Sequence, residues 1–345
     1  MIEALQGIWW HQSSVSRLLS CPRRFRLRYV DNAQAEIART GWAAPRGTAQ
    51  HAACELVLRS IAAGDATPTR EQLQSAMIQA FDDAIARAQD EGAVFEPEDL
   101  DRALGALDGE DLERMERFAQ DRRLRAIRWE GIEHSFELVY PDRKWRGTID
   151  AYGTATEYVP QFGREGRESV DLYPGDKILV DWKSGYATPL GRIARALNTQ
   201  LAIYDRALGG PRRRLFVGNL RDLDQPKRPR DEFGQAIPKH LPKEPNPAFA
   251  EAVGIPLDQV ASSKKRPRGI PKWLPERVNP AYEAALNQPK GPLFRECRVD
   301  LPRALETVRD AVRMAESGFY PATGVYTGAC EFCEYARACV PLEEE

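Results

Sequence analysis

Long hydrophobic runs are absent from this chain of 345 residues. No apolar stretch approaches the roughly 18 residues that a membrane-spanning helix requires. The opening residues 1–6 lack the basic segment and the apolar core of a signal peptide. We therefore expect no membrane association and a cytoplasmic location, a reducing compartment in which clustered cysteines bind metal more often than they form disulfides.

An excess of charge of one sign is also missing. The formal net charge is −2, so bulk charge does not point to a nucleic-acid partner. Arginine is clustered locally, however, for example at Arg23 and Arg24, which begin the run Arg-Arg-Phe-Arg-Leu-Arg. One such cluster is usually a solvated face, but several clusters beside one cleft would attract phosphates.

Cysteine is scarce, and four of the six cysteines form a pattern. One precedes the other three by at least 309 positions, and these three fall within ten residues. The four are Cys21, Cys330, Cys333 and Cys339. Four thiolates can hold a zinc ion or a [4Fe–4S] cluster, which here would join the two ends of the fold. The alternative, ordinary buried cysteine, fits Cys54 and Cys297 better.

The spacing of apolar residues predicts an α/β protein. The first helix is expected to be capped by Ser13 or Ser14, and the second to start at Pro22. The predicted helices cover residues 14–19, 22–29, 47–61, parts of 69–127, 191–208 and 300–318. The predicted strands cover residues 132–140, 145–152, 177–182 and 214–220.

This order divides the chain into four expected segments. They are an N-terminal helical region over 1–130, a catalytic core over 131–222, an insertion over 223–292 and a C-terminal region over 293–345. The insertion holds 13 of the 25 prolines, a density that disfavours helices and sheet ladders. It also has twelve Lys and Arg against eight Asp and Glu. We expect its cations to contact phosphates from a flexible arm, the alternative being a solvated loop or a docking site for a protein partner.

Two predicted strands each deliver a carboxylate, Asp150 on the first and Asp181 on the second. Lys183 lies two residues after Asp181 and therefore projects from the same face of the strand. Paired carboxylates suit Mg²⁺ or Mn²⁺, and a neighbouring lysine can stabilise charge on a phosphate. A second Asp-x-Lys, at Asp142 to Lys144, follows a turn proline without a comparable strand.

Three further residues agree with a metal and phosphate site. His51, in Gly-x-x-x-His, could complete the metal shell as a neutral imidazole, although a lone histidine is more often structural. Gln200 and Tyr204 lie one helical turn apart and could contact a base edge and stack on a base. The alternative for this pair is a core tyrosine with an exposed glutamine.

The order of these motifs resembles the RecB-like branch of the PD-(D/E)XK nucleases. It reads Cys…Gly-x-x-x-His…Gly-x-x-Asp…Asp-x-Lys-x-Gly…Gln-x-x-x-Tyr…Cys-x-x-Cys-x5-Cys. It is similar in particular to the iron–sulfur members: the AddB nuclease domain, eukaryotic exonuclease V and the CRISPR-adaptation nucleases. The resemblance covers residues 14–220 and 293–341, and it leaves the insertion without a counterpart.

The resemblance implies a restriction-endonuclease-like α/β core, a mixed sheet flanked by helices, with a helical wing. It implies an iron–sulfur staple, a [4Fe–4S] cluster on the four patterned cysteines. It also implies DNA cleavage with Mg²⁺ or Mn²⁺ that leaves 5′-phosphate and 3′-hydroxyl ends. The implied metal ligands are His51, Asp150, Asp181 and the Trp182 carbonyl, with Lys183 as the catalytic lysine. The implied DNA contacts are Gln200 and Tyr204, to which we add Arg23 and Arg24.

These inferences predict a single-strand or end-directed exonuclease of DNA repair or recombination. No Gly-x-x-x-x-Gly-Lys-Ser/Thr motif occurs, so we expect any helicase or recombinase to be a separate partner. One alternative is a CRISPR-adaptation nuclease that trims spacers. The others are a DNA-binding protein whose active site has decayed and a zinc-bound scaffold without catalysis.

Overall fold

The computed structural model describes most of the chain outside the predicted insertion. The described residues are Leu5, 7–33, 41–90, 93–95, 99–165, 168–184, 198–223, 293–323, Cys330, Cys333 and 335–339. Residues 224–292 of the arm predicted at 223–292 therefore lie outside the described residues, as do residues 185–197 of the loop and helix expected after Lys183.

Helices surround a central sheet. The α-helices are α1 (Gln12–Ser20), α2 (Pro22–Tyr29), α3 (Ala43–Ala63), α4 (Arg70–Asp90), α5 (Leu100–Ala106), α6 (Leu112–Gln120), α7 (Thr199–Leu208), α8 (Leu301–Glu316) and α9 (Ala336–Cys339). A π-helical turn, Leu107–Asp111, joins α5 to α6, and 3₁₀ turns cover Arg122–Ala126 and Leu220–Leu223. Among the described helices, none combines the length and the apolar character that crossing a bilayer requires.

The strands form one five-stranded mixed sheet and a separate hairpin. They are β1 (Ile127–Val139), β2 (Lys144–Ala155), β3 (Val159–Glu165), β4 (Glu168–Leu172), β5 (Lys177–Lys183), β6 (Arg214–Asn219) and β7 (Arg295–Glu296). The sheet order is β1-β2-β5-β6-β7, with β3 and β4 paired apart from it. Within this sheet, β5 and β6 are parallel. The pairs β1–β2, β2–β5 and β6–β7 are antiparallel.

Two hydrophobic clusters cover the two faces of this sheet. Ile178, Val180 and Trp182 join the cluster that contains α3, α4 and α6, whereas Leu179 joins the cluster with α1, α7 and α8. Successive side chains of a strand point to opposite faces, so β5 is buried on both sides. The expected α/β architecture, a mixed sheet flanked by helices, is confirmed, and it is consistent with a restriction-endonuclease-like fold.

Several element boundaries differ from the predictions. The first helix begins at Gln12, and its N-cap is His11 rather than a serine. Ser14 lies inside the first turn, where its hydroxyl accepts a hydrogen bond from the His11 backbone N–H at 3.0 Å. The third helix begins at Ala43, before Gly47. Pro22 and Asp300 stand at the predicted helix starts. The β3–β4 hairpin was missed because its strands are short and their apolar residues are interrupted by charged residues, a proline and a glycine.

A buried ionic network fixes α3 against α6. Arg114 and Asp111 are both fully buried, and Arg114 Nη1 donates to Asp111 Oδ1 at 2.6 Å. The other carboxylate oxygen accepts from Arg46 Nε at 2.9 Å, and Arg114 also reaches Gln50 Oε1 at 3.4 Å. Arg46 and Gln50 belong to α3, so the network determines where this helix lies.

Replacing Asp111 by Ala is expected to lower the free energy of unfolding by about 3–5 kcal/mol, because Arg114 stays buried without its carboxylate. Denaturant unfolding followed by circular dichroism measures the loss. Asp108→Ala, an exposed change in the same π-helical turn, is the control and should cost less than about 0.5 kcal/mol. Equal effects of the two variants would contradict a stabilising network.

Candidate active site

The pairing of β2 with β5 brings two carboxylates together. Ala151 lies opposite Val180 in this antiparallel pair, which places Asp150 and Asp181 at the next position along the two strands. Both are buried, at 8% and 2% exposure. The Trp182 N–H donates to Asp150 Oδ2 at 2.8 Å, so the backbone of β5 holds the carboxylate of β2 in place.

Lys183 lies beside Asp181, as their spacing of two residues requires. Its Nζ is 2.8 Å from Asp181 Oδ2 and 3.2 Å from Gln200 Oε1. Trp182, between them in sequence, points to the opposite face and is buried against Phe118 and Phe294. Strand β5 therefore directs Trp182 into the core on one face and Asp181 and Lys183 to the other face.

The Gly-x-x-x-His motif brings α3 to the end of β5. A Cβ atom on Gly47 would lie 2.7 Å from Ser184 Oγ, so glycine allows the helix to approach the strand closely. One turn later His51 faces Asp181 and the backbone carbonyl of Trp182. Burial lowers the pKa of His51, against the raising effects of Asp181 and of the hydrogen bond to Trp182. A neutral imidazole of this kind is suited to metal coordination.

Glu133 is a site residue that the motif analysis missed. Ile132 pairs with Ala151 and His134 with Ile149, so Glu133 falls opposite Asp150. Its backbone has a φ of 46°, in the left-handed region that non-glycine residues seldom adopt. Ligand atoms of His51, Glu133 and Asp150 lie within 4.8 Å of one another. The sequence contained the information needed to find Glu133, because an antiparallel hairpin whose turn is centred on Pro141 and Asp142 pairs position 133 with position 150.

The electrostatics of these acids favour a bound cation. Burial, followed by repulsion from Asp150, raises the pKa of Glu133 to about 7. Burial also raises the pKa values of Asp150 and Asp181 above the ordinary range. Glu133 Oε1 is buried and has no hydrogen-bond partner among the described residues. Three neighbouring acids repel one another when ionised, and a divalent cation would relieve this repulsion.

Gln200 and Tyr204 adjoin the carboxylates from α7, where they lie one turn apart. Gln200 Nε2 donates to Asp181 Oδ1 at 2.7 Å and contacts the Tyr204 hydroxyl at 2.9 Å. Tyr204 is only 6% exposed and packs edge-on against Phe136. Its ring is therefore a core group without an open face for a base, and Gln200 positions Asp181 and Lys183.

The patterned cysteines lie at a second place, where the chain ends meet. Cys21, between α1 and α2, is 5% exposed. Burial raises the pKa of Cys339, and the nearby charges of Cys21 and Cys330 raise it further while Arg23 lowers it. The Arg23 N–H donates to the Pro321 carbonyl at 3.2 Å. Thiols from the N-terminal and C-terminal parts of the chain are thus close enough for their charges to interact, and Arg23 lies beside them.

Comparison with known families agrees with this geometry. A model of the PD-(D/E)XK nuclease superfamily matches residues 10–340. The chain belongs to the PD-(D/E)XK nuclease superfamily. No curated protein matches the chain significantly. PD-(D/E)XK nucleases are hydrolases that use Mg²⁺ or Mn²⁺, and the acidic pocket formed by His51, Glu133 and Asp150 has ligands of the kind that these ions bind.

Glu133→Gln is expected to stabilise the metal-free PD-(D/E)XK protein, and more so at higher pH. The folded-state pKa of Glu133 lies above its ordinary value of 4.5. The stability that the protonated carboxyl provides is therefore present below about pH 4.5 and lost as the pH rises through about 7. Thermal unfolding in a chelator should show a gain of a few degrees near pH 8 and a smaller gain near pH 5.

The control for this prediction is Glu137→Gln, an exposed change on the same strand, which should leave the melting temperature nearly unchanged at both pH values. Added Mn²⁺ should raise the melting temperature of the wild type more than that of Glu133→Gln, because the variant lacks one carboxylate. A gain that is independent of pH would contradict the assignment of a repelled, buried carboxyl.

Proposed function

We propose that this protein is a metal-dependent DNA nuclease that degrades single strands or strand ends as an exonuclease. The observation that carries the proposal is the convergence of His51, Glu133, Asp150, Asp181 and Lys183 at one edge of the sheet. The order of the motifs along the chain supports a place among the RecB-like nucleases of recombination and repair, with any helicase or recombinase acting as a separate protein.

Each side chain of the site has a role in phosphodiester hydrolysis that follows from its surroundings. His51, Glu133, Asp150 and Asp181 would hold Mg²⁺ or Mn²⁺, with Glu133 an addition to the ligands that the motifs imply. The bound ion would supply Lewis-acid polarisation of the phosphate and a more acidic water. Lys183, with 45% of its side chain exposed, can orient that water or stabilise charge on a phosphate oxygen. Gln200 contacts both Lys183 and Asp181 and would fix their positions relative to each other.

We also propose that Cys21, Cys330, Cys333 and Cys339 hold a [4Fe–4S] cluster. Cys339 is influenced electrostatically by both Cys21 and Cys330, which supports a shared ligand set. The order Cys…Cys-x-x-Cys-x5-Cys resembles that of the iron–sulfur members of the superfamily, which favours a cluster over a single zinc ion.

A nuclease assay on end-labelled linear and circular single strands tests the activity directly. We expect shortening of the linear strand with Mg²⁺ or Mn²⁺, no cleavage in excess chelator, and slow or no loss of the circle. Cleavage of both substrates at equal rates would instead indicate an endonuclease. Tight DNA binding without cleavage under any metal condition would support the alternative of a non-catalytic DNA-binding protein.

A further inference from the structure

A groove of about 680 Å³ runs beside α1. We call it the α1 groove. Its twelve lining residues include three arginines and no aspartate or glutamate. The arginines are Arg17 on α1, Arg24 on α2 and Arg146 on β2. Two consecutive helices and the distant strand β2 therefore contribute one cation each to a single depression, which makes it attractive to anions.

The α1 groove leads to the carboxylates of the candidate active site. Gln200 lines the groove, and its Nε2 donates to Asp181 Oδ1 at 2.7 Å. Gln12 Nε2 donates to Thr199 Oγ1 at 2.8 Å, so α1 is tied to the start of α7 at this point. An extended ligand in the groove would therefore run from the arginines to Gln200, the residue that contacts Asp181.

Arg146 is an exposed cation of the groove with neutral neighbours. It lies on an exposed position of β2, its guanidinium is 5.8 Å from the ring centroid of Trp9, and its Nε donates to His11 Nε2 at 3.2 Å. No ion pair joins Arg146 to a carboxylate within the described part of the chain. The guanidinium is held in place by neutral groups and keeps its full charge for an incoming anion.

The remaining surface of the α1 groove supplies hydroxyl groups rather than base-stacking faces. Ser13 and Ser16 are exposed on the same face of α1. The aromatic residues of the groove, Phe136 and Tyr204, are 8% and 6% exposed, so neither offers a ring to a base. Arginine and serine donors contact phosphate and sugar without reading sequence, and this surface is therefore suited to a nucleic-acid backbone.

An adjoining cavity of about 410 Å³ shares His11 and Arg146 with the α1 groove but also contains Glu137. Its carboxylate makes that branch less favourable to phosphates than the branch along α1. Arg23, the neighbour of Arg24, does not line either cavity and lies beside the thiols. The sequence predicted DNA contacts for Arg23 and Arg24. Of these two residues, Arg24 lines the α1 groove and Arg23 does not.

We propose that the α1 groove binds the sugar-phosphate backbone of a single DNA strand on one side of the phosphate that is cleaved, with Arg17, Arg24 and Arg146 at successive phosphates. This inference rests on the proposed nuclease function and adds to it the path of the strand. Because the groove contacts phosphates rather than bases, binding should depend strongly on salt and little on sequence.

The test measures binding of a fluorescent single strand of about twelve thymidines to the full-length protein in chelator, at several salt concentrations. Each lost phosphate contact lowers the log–log salt slope by roughly 0.7 for single strands, so Arg17→Gln/Arg24→Gln/Arg146→Gln should lower it by roughly 2. The matched control is Arg102→Gln/Arg128→Gln/Arg313→Gln, which removes the same charge from exposed side chains outside the groove. Its slope should stay close to that of the wild type.

A second pair of variants tests the groove without altering an arginine. Ser13→Glu/Ser16→Glu should weaken binding by roughly tenfold relative to Ser13→Gln/Ser16→Gln, which has nearly the same size but no charge. Both pairs change exposed positions and should fold normally. Equal affinities of the Glu and Gln pairs, or a salt slope unchanged in the arginine triple variant, would overturn the proposal.

Failure of this proposal is distinguishable from failure of the proposed function. If the wild type cleaves single strands while the triple variant keeps the same KM and salt slope, the nuclease stands and the strand does not lie in the α1 groove. If the wild type cleaves nothing but the triple variant loses binding, the groove stands and the nuclease falls. If both hold, the triple variant should raise KM with little change in kcat, because the groove binds substrate and transition state alike.

Discussion

Asp181→Asn should lower the turnover of single-stranded DNA by about a thousandfold or more. The carboxylate is 2% exposed and contacts both Lys183 Nζ and Gln200 Nε2. The substitution removes one anionic ligand from the cation site and the ion pair that orients the lysine. A thousandfold loss corresponds to about 4 kcal/mol of transition-state stabilisation, which is reasonable for one ligand of an electrostatic site. Initial rates of end-label release at saturating DNA and Mn²⁺ give the comparison.

The chain contains a matched control for this prediction. Asp142 and Lys144 have the same Asp-x-Lys spacing, but Asp142 is exposed in the bend before β2 and Lys144 Nζ lies near the Trp9 ring, 5.7 Å from its centroid. Asp142→Asn should therefore keep nearly all activity. Both variants should retain the wild-type circular dichroism spectrum. Near-normal cleavage by Asp181→Asn, or an equal loss in Asp142→Asn, would refute the assigned site.

Cys21→Ser should yield a protein without the brown colour of an iron–sulfur cluster and with a melting temperature lower by roughly 5–10 °C. Cys21 is buried between α1 and α2, and the other ligands follow at least 309 positions later. A link across such a length restricts the unfolded chain by an amount comparable to a long disulfide loop, about 5–6 kcal/mol. Visible absorption and iron content measure the loss of the cluster, and thermal unfolding under anaerobic conditions measures the loss of stability.

Cys54→Ala is the control, because Cys54 is also fully buried but lies in α3 against Met115. It should lose some stability through the smaller side chain and keep the full iron content. A wild type that contains zinc instead of iron would refute the cluster. Bleaching by Cys54→Ala with normal colour in Cys21→Ser would show that the ligand set is wrong.

The local pattern of the sequence determined much of the fold and part of the candidate site. Strand-like runs bounded by turn residues predicted β2 and β5. A spacing of two placed Asp181 and Lys183 on one face of β5, because side chains alternate in a strand whatever surrounds it. Pro22 marked a helix start through its fixed backbone angle, and Asp300 did so as a side-chain cap that accepts from the Arg303 N–H. These features depend on neighbours in the chain, which a single sequence contains in full.

Tertiary structure alone decided which of these residues meet. Glu133 joins His51 and Asp150 because the register of β1 against β2 and the approach of α3 through Gly47 bring three separate elements together. Tyr204, expected to stack on a base, is instead buried against Phe136. The α1 groove likewise combines α1, α2 and β2. Such placements depend on pairing and packing between segments far apart in sequence, and no local periodicity specifies that geometry.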